Sequence, residues 1–317
     1  MVRFFAVLIS FFLFFRSSTV APYEVRDAAA LKFSAVLLSD MHTEANSAAR
    51  FHMIGETFAG VFAGGNKPDV LAFAGDNTMN GNASEWFDFY GLLGRFNRGS
   101  DVLVAMGNHD FGNCDDPETY ARLSERAIAS YNYYCRKQIK AVYYAADYGC
   151  VKFLILGSEG NAPHTLQILS DGQIDWLEAE LSDCAARGIP AVVVNHNLIR
   201  GRTGRQSYFS FNLTDNNDRL DDALTGSGAT VLYVCGHSHF GVSSGSWSSA
   251  GKVTYINLPS AGNHGNYDAA DDCAAYGIGL LLELYDGTLE LSFRNFAAGS
   301  ALEVDRITVP LRPAASN

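Results

Sequence analysis

The chain has 317 residues, 48% of them hydrophobic and 18% charged, with a formal net charge of −11. That length and apolar fraction supply one large core or two small ones and exclude a disordered chain. The acidic balance, with no long Lys/Arg run, excludes extended nucleic-acid binding by phosphate neutralisation and leaves a small or locally held substrate.

The first element is MVRFFAVLISFFLFFRSSTVA, in which Arg3 precedes an apolar core over 4–15 and Arg16 closes it. With Thr19 and Ala21 at the minus-three and minus-one places, residues 1–21 read as a signal peptide. The apolar core holds about a dozen residues, short of the roughly 20 that span a bilayer. The reading predicts a secreted or extracytoplasmic protein with no stable membrane span in the mature chain; anchoring by an uncleaved leader is the alternative. Two sequons, Asn82-Ala83-Ser84 and Asn212-Leu213-Thr214, agree with export. Six cysteines (Cys114, Cys135, Cys150, Cys184, Cys235, Cys273) permit disulfides without fixing their pairing. Cys114 and Cys135 flank one polar segment and are the first pair to test, whereas Cys235 lies in an apolar run and reads as a buried thiol.

Residues 22–31 read as a short leader and 32–317 as one domain. Strand-length apolar runs at 33–39, 69–74, 101–106, 151–156, 191–194 and 230–235 alternate with helical spacing at 44–63, 84–97, 117–134 and 170–188. Ser170 or Asp171 caps the last of these helices and Gly188 ends it. The near-continuous Val/Leu/Ile/Ala runs suit strands covered on both faces, and the alternation predicts a layered α/β domain. After residue 250, KVTYINL, GIGLLLELY and TLELSFRNF read as consecutive strands with a turn at Asp286-Gly287. Nothing in the pattern sets the oligomeric state.

Five of the strands run into polar ligand types: Asp40-Met41-His42, Gly75-Asp76-Asn77, Gly107-Asn108-His109-Asp110, Asn195-His196 and Gly236-His237-Ser238-His239. In layered α/β folds the carboxyl ends of strands gather along one edge, so residues distant in sequence converge there. Imidazoles, carboxylates and one amide oxygen, without cysteine, suit Mn, Fe, Zn or Ni. The candidate ligands Asp40, His42, Asp76, Asn108, His196, His237 and His239 are too many for one tetrahedral zinc and fit two divalent ions sharing a carboxylate. Two ions about 3.5 to 4 Å apart clamp an in-line displacement at phosphorus and bring the pKa of a bridging water toward neutrality.

In this order, across residues 40–239, the five motifs resemble the calcineurin-like metallophosphoesterase family. The resemblance implies a four-layer αββα sandwich of two mainly mixed β-sheets flanked by helices, with a dinuclear centre at the sheet edges. It also implies that Asp40, His42 and His239 hold the first ion, that Asp76 bridges, and that Asn108, His196 and His237 hold the second. His109 matches the family's non-ligand histidine, which contacts phosphate and helps the leaving group depart. Asp110 reads as fixing its loop, and Gly75, Gly107 and Gly236 as letting the backbone turn tightly beside the ions.

The chain departs from the family pattern in two places. Three residues after the bridging Asp, some branches carry an Asp paired with the loop histidine and purple acid phosphatases carry an iron-binding Tyr; here the residue is Met79. A purple iron(III) enzyme is disfavoured, and His109 needs another orienting group. At the fourth motif, Asn197-Leu198 stand where a proline often follows the histidine after one residue.

Arg200, Arg202 and Arg205 cluster in an otherwise acidic chain and are candidate phosphate contacts, a solvated face being the alternative. Asn263, His264 and Tyr267 in SAGNHGNYD (260–268) are candidates for the same cleft, against a structural turn. His52 and His164 lack ligand-type neighbours, and the aromatic run at 131–137 reads as packing of a helix end. The expected activity is an exported, metal-dependent phosphoric ester hydrolase, with manganese among its candidate ions, acting on phosphodiesters or phosphomonoesters, nucleotides included. Loops choose the substrate. The alternatives are a secreted non-catalytic binding protein on the same fold and hydrolysis of a non-phosphate ester or amide.

Overall fold

A computed structural model describes residues 20–114, 116–160, 166–209, 213–262, 276–302 and 306–311. The signal-peptide reading falls almost wholly on residues 1–19, outside them. The chain begins with strand β1 (Phe33–Leu38) and helix α1 (Ala48–Val61), whose N-terminus is set by Ser47 accepting a hydrogen bond from the Arg50 amide. Then come β2 (Val70–Ala74), α2 (Ala83–Phe96) and β3 (Asp101–Ala105). Asn82 and Glu85 form a capping box at the start of α2. Helix α3 (Pro117–Cys135) takes its N-cap from Asp116 and has proline in its first turn, followed by β4 (Tyr144–Asp147) and β5 (Lys152–Ile155).

Of the two caps the sequence offers, Ser170 is the one that caps helix α4 (Asp171–Arg187), which ends as expected at Gly188 in the left-handed conformation. The chain continues through β6 (Ala191–Val194), α5 (Asn217–Gly226), β7 (Val231–Cys235), β8 (Trp247–Ala250) and β9 (Val253–Asn257). It closes with β10 (Ile278–Tyr285), β11 (Thr288–Asn295), β12 (Ser300–Ala301) and β13 (Ile307–Pro310).

Two mixed sheets result. One runs β12-β11-β10-β1-β2-β3 with β13 beside β11, the other β4-β5-β6-β7-β9-β8. Strands β1, β2 and β3 are parallel in the first, with antiparallel strands on the β1 side only, and β5, β6, β7 and β9 are parallel in the second, with antiparallel β4 and β8 at its two edges. Successive side chains of a strand point to opposite faces. Thus Ala35 and Leu37 of β1 pack between the sheets with Phe153, Val192, Val194, Leu232 and Val234, while Val36 and Leu38 pack with Ile54, Phe58 and Phe89 of α1 and α2. The outer face of the second sheet, Leu154, Val193 and Tyr233, is covered by Ile174, Leu177 and Leu181 of α4 and Leu220 of α5. The layers are helix, sheet, sheet, helix.

Residues 22–31, read as a leader, are part of the fold. Tyr23 is buried with its ring edge-on to Phe296, the Arg26 amide donates to Glu283 Oε1 at 2.6 Å, and the Arg26 guanidinium donates to Glu290 Oε1 at 2.8 Å. The two glutamates sit buried on β10 and β11, where an unpaired carboxylate is costly, so the segment supplies their partners. Cys135, Cys150, Cys184 and Cys235 are thiols, so the Cys114–Cys135 bridge is not formed; Cys235 is buried as expected, and Cys273 lies outside the described residues. No helix among the described residues is long and apolar enough to cross a membrane.

Candidate metal centre

The loops that leave β1, β2, β3, β6 and β7 at their carboxyl ends meet at one edge of the two packed sheets. Asp40, His42, Asp76 and His239 place ligand atoms within 4.8 Å of one another, as do Asp76, His196 and His237. Asp76 is the member common to both groups. Asn108 joins the second through Oδ1, 3.1 Å from His196 Nε2. All seven candidate ligands thus meet at one place.

The spacing between ligand atoms fits shared ions. His42 Nε2 lies 2.9 Å from His239 Nε2, which lies 3.0 Å from Asp40 Oδ1; His196 Nε2 lies 3.2 Å from Asp76 Oδ2 and 3.1 Å from His237 Nδ1. A bond of about 2.1 Å to a divalent ion separates neighbouring ligand atoms by about 3.0 to 3.4 Å. The set is rich in lone pairs, and a cation between them relieves their repulsion.

Surrounding groups fix the direction of each lone pair. His196 Nδ1 is 2.8 Å from the Ala74 carbonyl, which only accepts, so Nδ1 carries the proton and Nε2 faces inward. Asp40 Oδ2 accepts from Ser39 Oγ at 2.6 Å and from the His237 amide at 3.0 Å, leaving Oδ1 toward His239. Asp76 Oδ1 accepts from the His109 amide at 2.8 Å, leaving Oδ2 toward His196. From the far side, Ser260 Oγ donates to the Asp40 carbonyl at 2.8 Å. Burial works to raise the pKa of Asp40 and Asp76, yet the facing imidazoles overcome it and hold both carboxyls below their ordinary range. Burial holds His42 down to about 4, whereas His196 is raised to about 9, the Asp76 and Asp40 charges outweighing its burial.

The backbone is bent hard to achieve this. Asp40, His42, Asp76, His237 and His239 all have φ between 45° and 68°, a region that residues with a Cβ enter only at a cost of order 1–3 kcal/mol each. Of the three glycines, Gly75 has φ 95°, but Gly107 and Gly236 are needed for close approach. A Cβ on Gly107 would lie 2.2 Å from Asp76 Oδ1, and one on Gly236 would lie 1.8 Å from Ser39 Oγ.

Asp110 is the tie between two of the loops. Its carboxylate accepts from the amides of Asn77, Thr78 and Gly107 and from the side chains of Asn77 and Thr78, all at 2.8 to 3.2 Å. Burial, with the nearby Asp76 charge, pushes its pKa up to about 6 against those donors. His109, half-buried, has Nδ1 2.8 Å from the Met79 carbonyl and its ring 4.6 Å from that of His42. The backbone at Met79 therefore supplies the orienting acceptor that the side chain at that position lacks.

The structure places the remaining candidates differently. Arg202 is bound by both carboxylate oxygens of Asp221 and lies over the Tyr255 ring, so its guanidinium is committed to Asp221 on α5 and to Tyr255 on β9. Arg200 is exposed. His264, Asn263 and Tyr267 lie outside the described residues, as does His164. His52 pairs with Glu56 one turn along α1. Ser260, the first residue of the SAGNHGNYD segment already named for the cleft, touches the site, as does Asn113, which nothing in its local sequence marks.

Two mixed sheets, flanking helices and a carboxylate–histidine cluster at one sheet edge define a metallophosphoesterase-type α/β protein. Residues 33–241 match the Calcineurin-like phosphoesterase family model, and the chain belongs to that family. It is 27% identical over 243 residues to a protein of Rhodococcus erythropolis described as a probable cyclic nucleotide phosphodiesterase, covering 74% of this chain and 72% of that one. Its fold is similar to that of a dimetal phosphatase from Danio rerio (TM-score 0.61, 13% identity, 89% of this chain and 100% of that one). It is also similar to a purple acid phosphatase from yellow lupin seeds (TM-score 0.63, 14% identity, 88% and 53%).

Proposed function

We propose that this chain is an exported dinuclear-metal phosphoesterase that hydrolyses small phosphodiesters or phosphomonoesters, nucleotides included. The observation that carries the reading is the sharing of Asp76 between two ligand groups. In this reading Asp40, His42 and His239 would hold one ion and Asn108, His196 and His237 the other, with Asp76 common to both. Bound divalent ions supply charge that stabilises the phosphoryl oxygens and acidify water for attack on phosphorus.

The chain's own residues do the rest. The hydrogen bonds to Ala74, Ser39 and His237 hold the ligand atoms in place before substrate arrives. His109, whose Nδ1 proton is committed to Met79, exchanges a proton with the departing oxygen through Nε2. Arg200, exposed, is kept as a candidate phosphate contact, since the Arg202 guanidinium is engaged by Asp221 and the Arg205 side chain lies outside the described residues. His264 remains a candidate contact. The description of the Rhodococcus relative favours a diester. Export rests on the leader sequence.

The test loads the mature protein, residues 22–317, with manganese and compares bis(p-nitrophenyl) phosphate with p-nitrophenyl phosphate, with EDTA and His196→Ala controls. Chelator-sensitive cleavage that His196→Ala abolishes supports the reading, and the preferred ester assigns the class. Absence of cleavage with manganese, iron, zinc or nickel overturns it in favour of a binding protein on the same fold.

A further inference from the structure

For Asn108 to serve the second ion, its amide must be held with the oxygen inward. An amide has two ends of nearly equal shape, and the wrong end would aim an NH2 group at a cation. Asn113 lies five residues on, in a left-handed conformation (φ 48°), with its amide nitrogen bonded to the Asn108 carbonyl at 3.0 Å. This folds its side chain back over the loop. Asn113 Oδ1 accepts from Asn108 Nδ2 at 2.5 Å, while Asn108 Oδ1 faces His196. Asn113 Nδ2 lies 3.1 and 3.3 Å from the two ring nitrogens of His109.

Resting on the proposed function, we infer that Asn113 is a positioning residue whose one amide sets two neighbours: its oxygen fixes Asn108 oxygen-inward, and its nitrogen, donating to His109 Nε2 while Nδ1 donates to Met79, braces the ring until substrate takes Nε2. The chemistry is directional. A carbonyl oxygen accepts only from the NH2 end of Asn108, so the flipped amide loses this bond and places its own nitrogen against His196 and the ion. Asn113 is itself exposed, so its burial contributes little to the core, and its effect is carried by these contacts.

The test uses the mature protein with Asn113→Gly, which removes the side chain while tolerating positive φ, and Asn113→Asp, which keeps the acceptor for Asn108 and removes the donor. The readouts are manganese stoichiometry by elemental analysis at limiting metal, thermal unfolding, and kcat and KM on bis(p-nitrophenyl) phosphate. Asn113→Gly is expected to weaken the second ion by about 10- to 100-fold, binding one manganese where the wild type binds two. Its kcat falls while KM stays within about twofold, since the loss is in aligning the reacting groups. Asn113→Asp is expected to restore the stoichiometry but not the full kcat, separating the two ends of the amide.

Two ions and wild-type kcat in Asn113→Gly overturn the inference, as does an Asn113→Asp variant that melts like the wild type yet binds one ion. A wild-type protein that binds two manganese ions without hydrolysing any ester overturns the hydrolase reading alone, because the stoichiometry contrast still decides the role of Asn113. A wild-type protein that binds no manganese overturns both.

Discussion

Replacing Asp110 by Asn tests whether the ligand loops are held by a buried carboxylate. The wild-type side chain gathers three donors on Oδ2 (the Asn77 amide, Asn77 Nδ2 and the Gly107 amide) and two on Oδ1 (the Thr78 amide and hydroxyl). An asparagine keeps only one oxygen. Its better orientation places that oxygen at the Oδ2 position and turns the NH2 toward Thr78, whose hydroxyl rotates to accept but whose amide is stranded. One stranded buried donor costs about 1–3 kcal/mol, and the loss of charge on the remaining bonds adds about 1 kcal/mol. The total is about 2–4 kcal/mol. At about 2.1 cal/mol/K of unfolding entropy per residue over about 300 residues, that corresponds to a fall in Tm of about 3–6 °C. The measurement is thermal unfolding in EDTA, where metal linkage does not mask the difference, with metal titration afterwards. A Tm within about 1 °C of wild type would refute the idea that this carboxylate ties the β2 and β3 loops together.

A Cβ on Gly236 would fall 1.8 Å from Ser39 Oγ and 2.4 Å from Asp40 Oδ2, so Gly236→Ala is expected to abolish metal retention and hydrolysis, as elemental analysis shows; normal metal content would sink the packing argument. Arg26→Ala removes the charged partner of Glu290, which among the described residues keeps its bond from Thr308. Because Arg26 is about half exposed, the expected destabilisation is about 1 kcal/mol, a Tm shift of about 1–2 °C with faster proteolysis of the N-terminal segment. Burial pushes the Cys135 thiol up to about 12, so at pH 8 on the order of one molecule in 10,000 carries the thiolate. Iodoacetamide at pH 8 is therefore expected to label Cys135 slowly in the native state and readily in urea; equal rates by peptide mapping would contradict that environment.

What the sequence determined by itself follows from local regularities. The six apolar runs became β1, β2, β3, β5, β6 and β7 because a strand covered on both faces carries a continuous apolar signal. The cap at Ser170, the stop at Gly188 and the Asp286-Gly287 turn were legible because they act within a few residues. The five ligand motifs were legible for a topological reason: parallel strands put their carboxyl ends on one edge, so polar residues after each run had to converge. Strands β4 and β8 carry no such signal because they are edge strands with half-buried patterns, and α5 carries none because its sequence, NDRLDDALTG, is mostly polar.

Tertiary structure decided what depends on partners far away in the chain. Residues 22–31 look like a leader until two buried glutamates on β10 and β11 give Arg26 a place. Arg202 looks like a phosphate contact until Asp221 and Tyr255 claim it. Met79 looks like a missing carboxylate until its carbonyl meets His109, and Asn113 carries no local mark of the two side chains it touches. A residue type states which bonds a side chain is able to make; only the packed chain, by bringing one donor to one acceptor and excluding water from the rest, states which it makes.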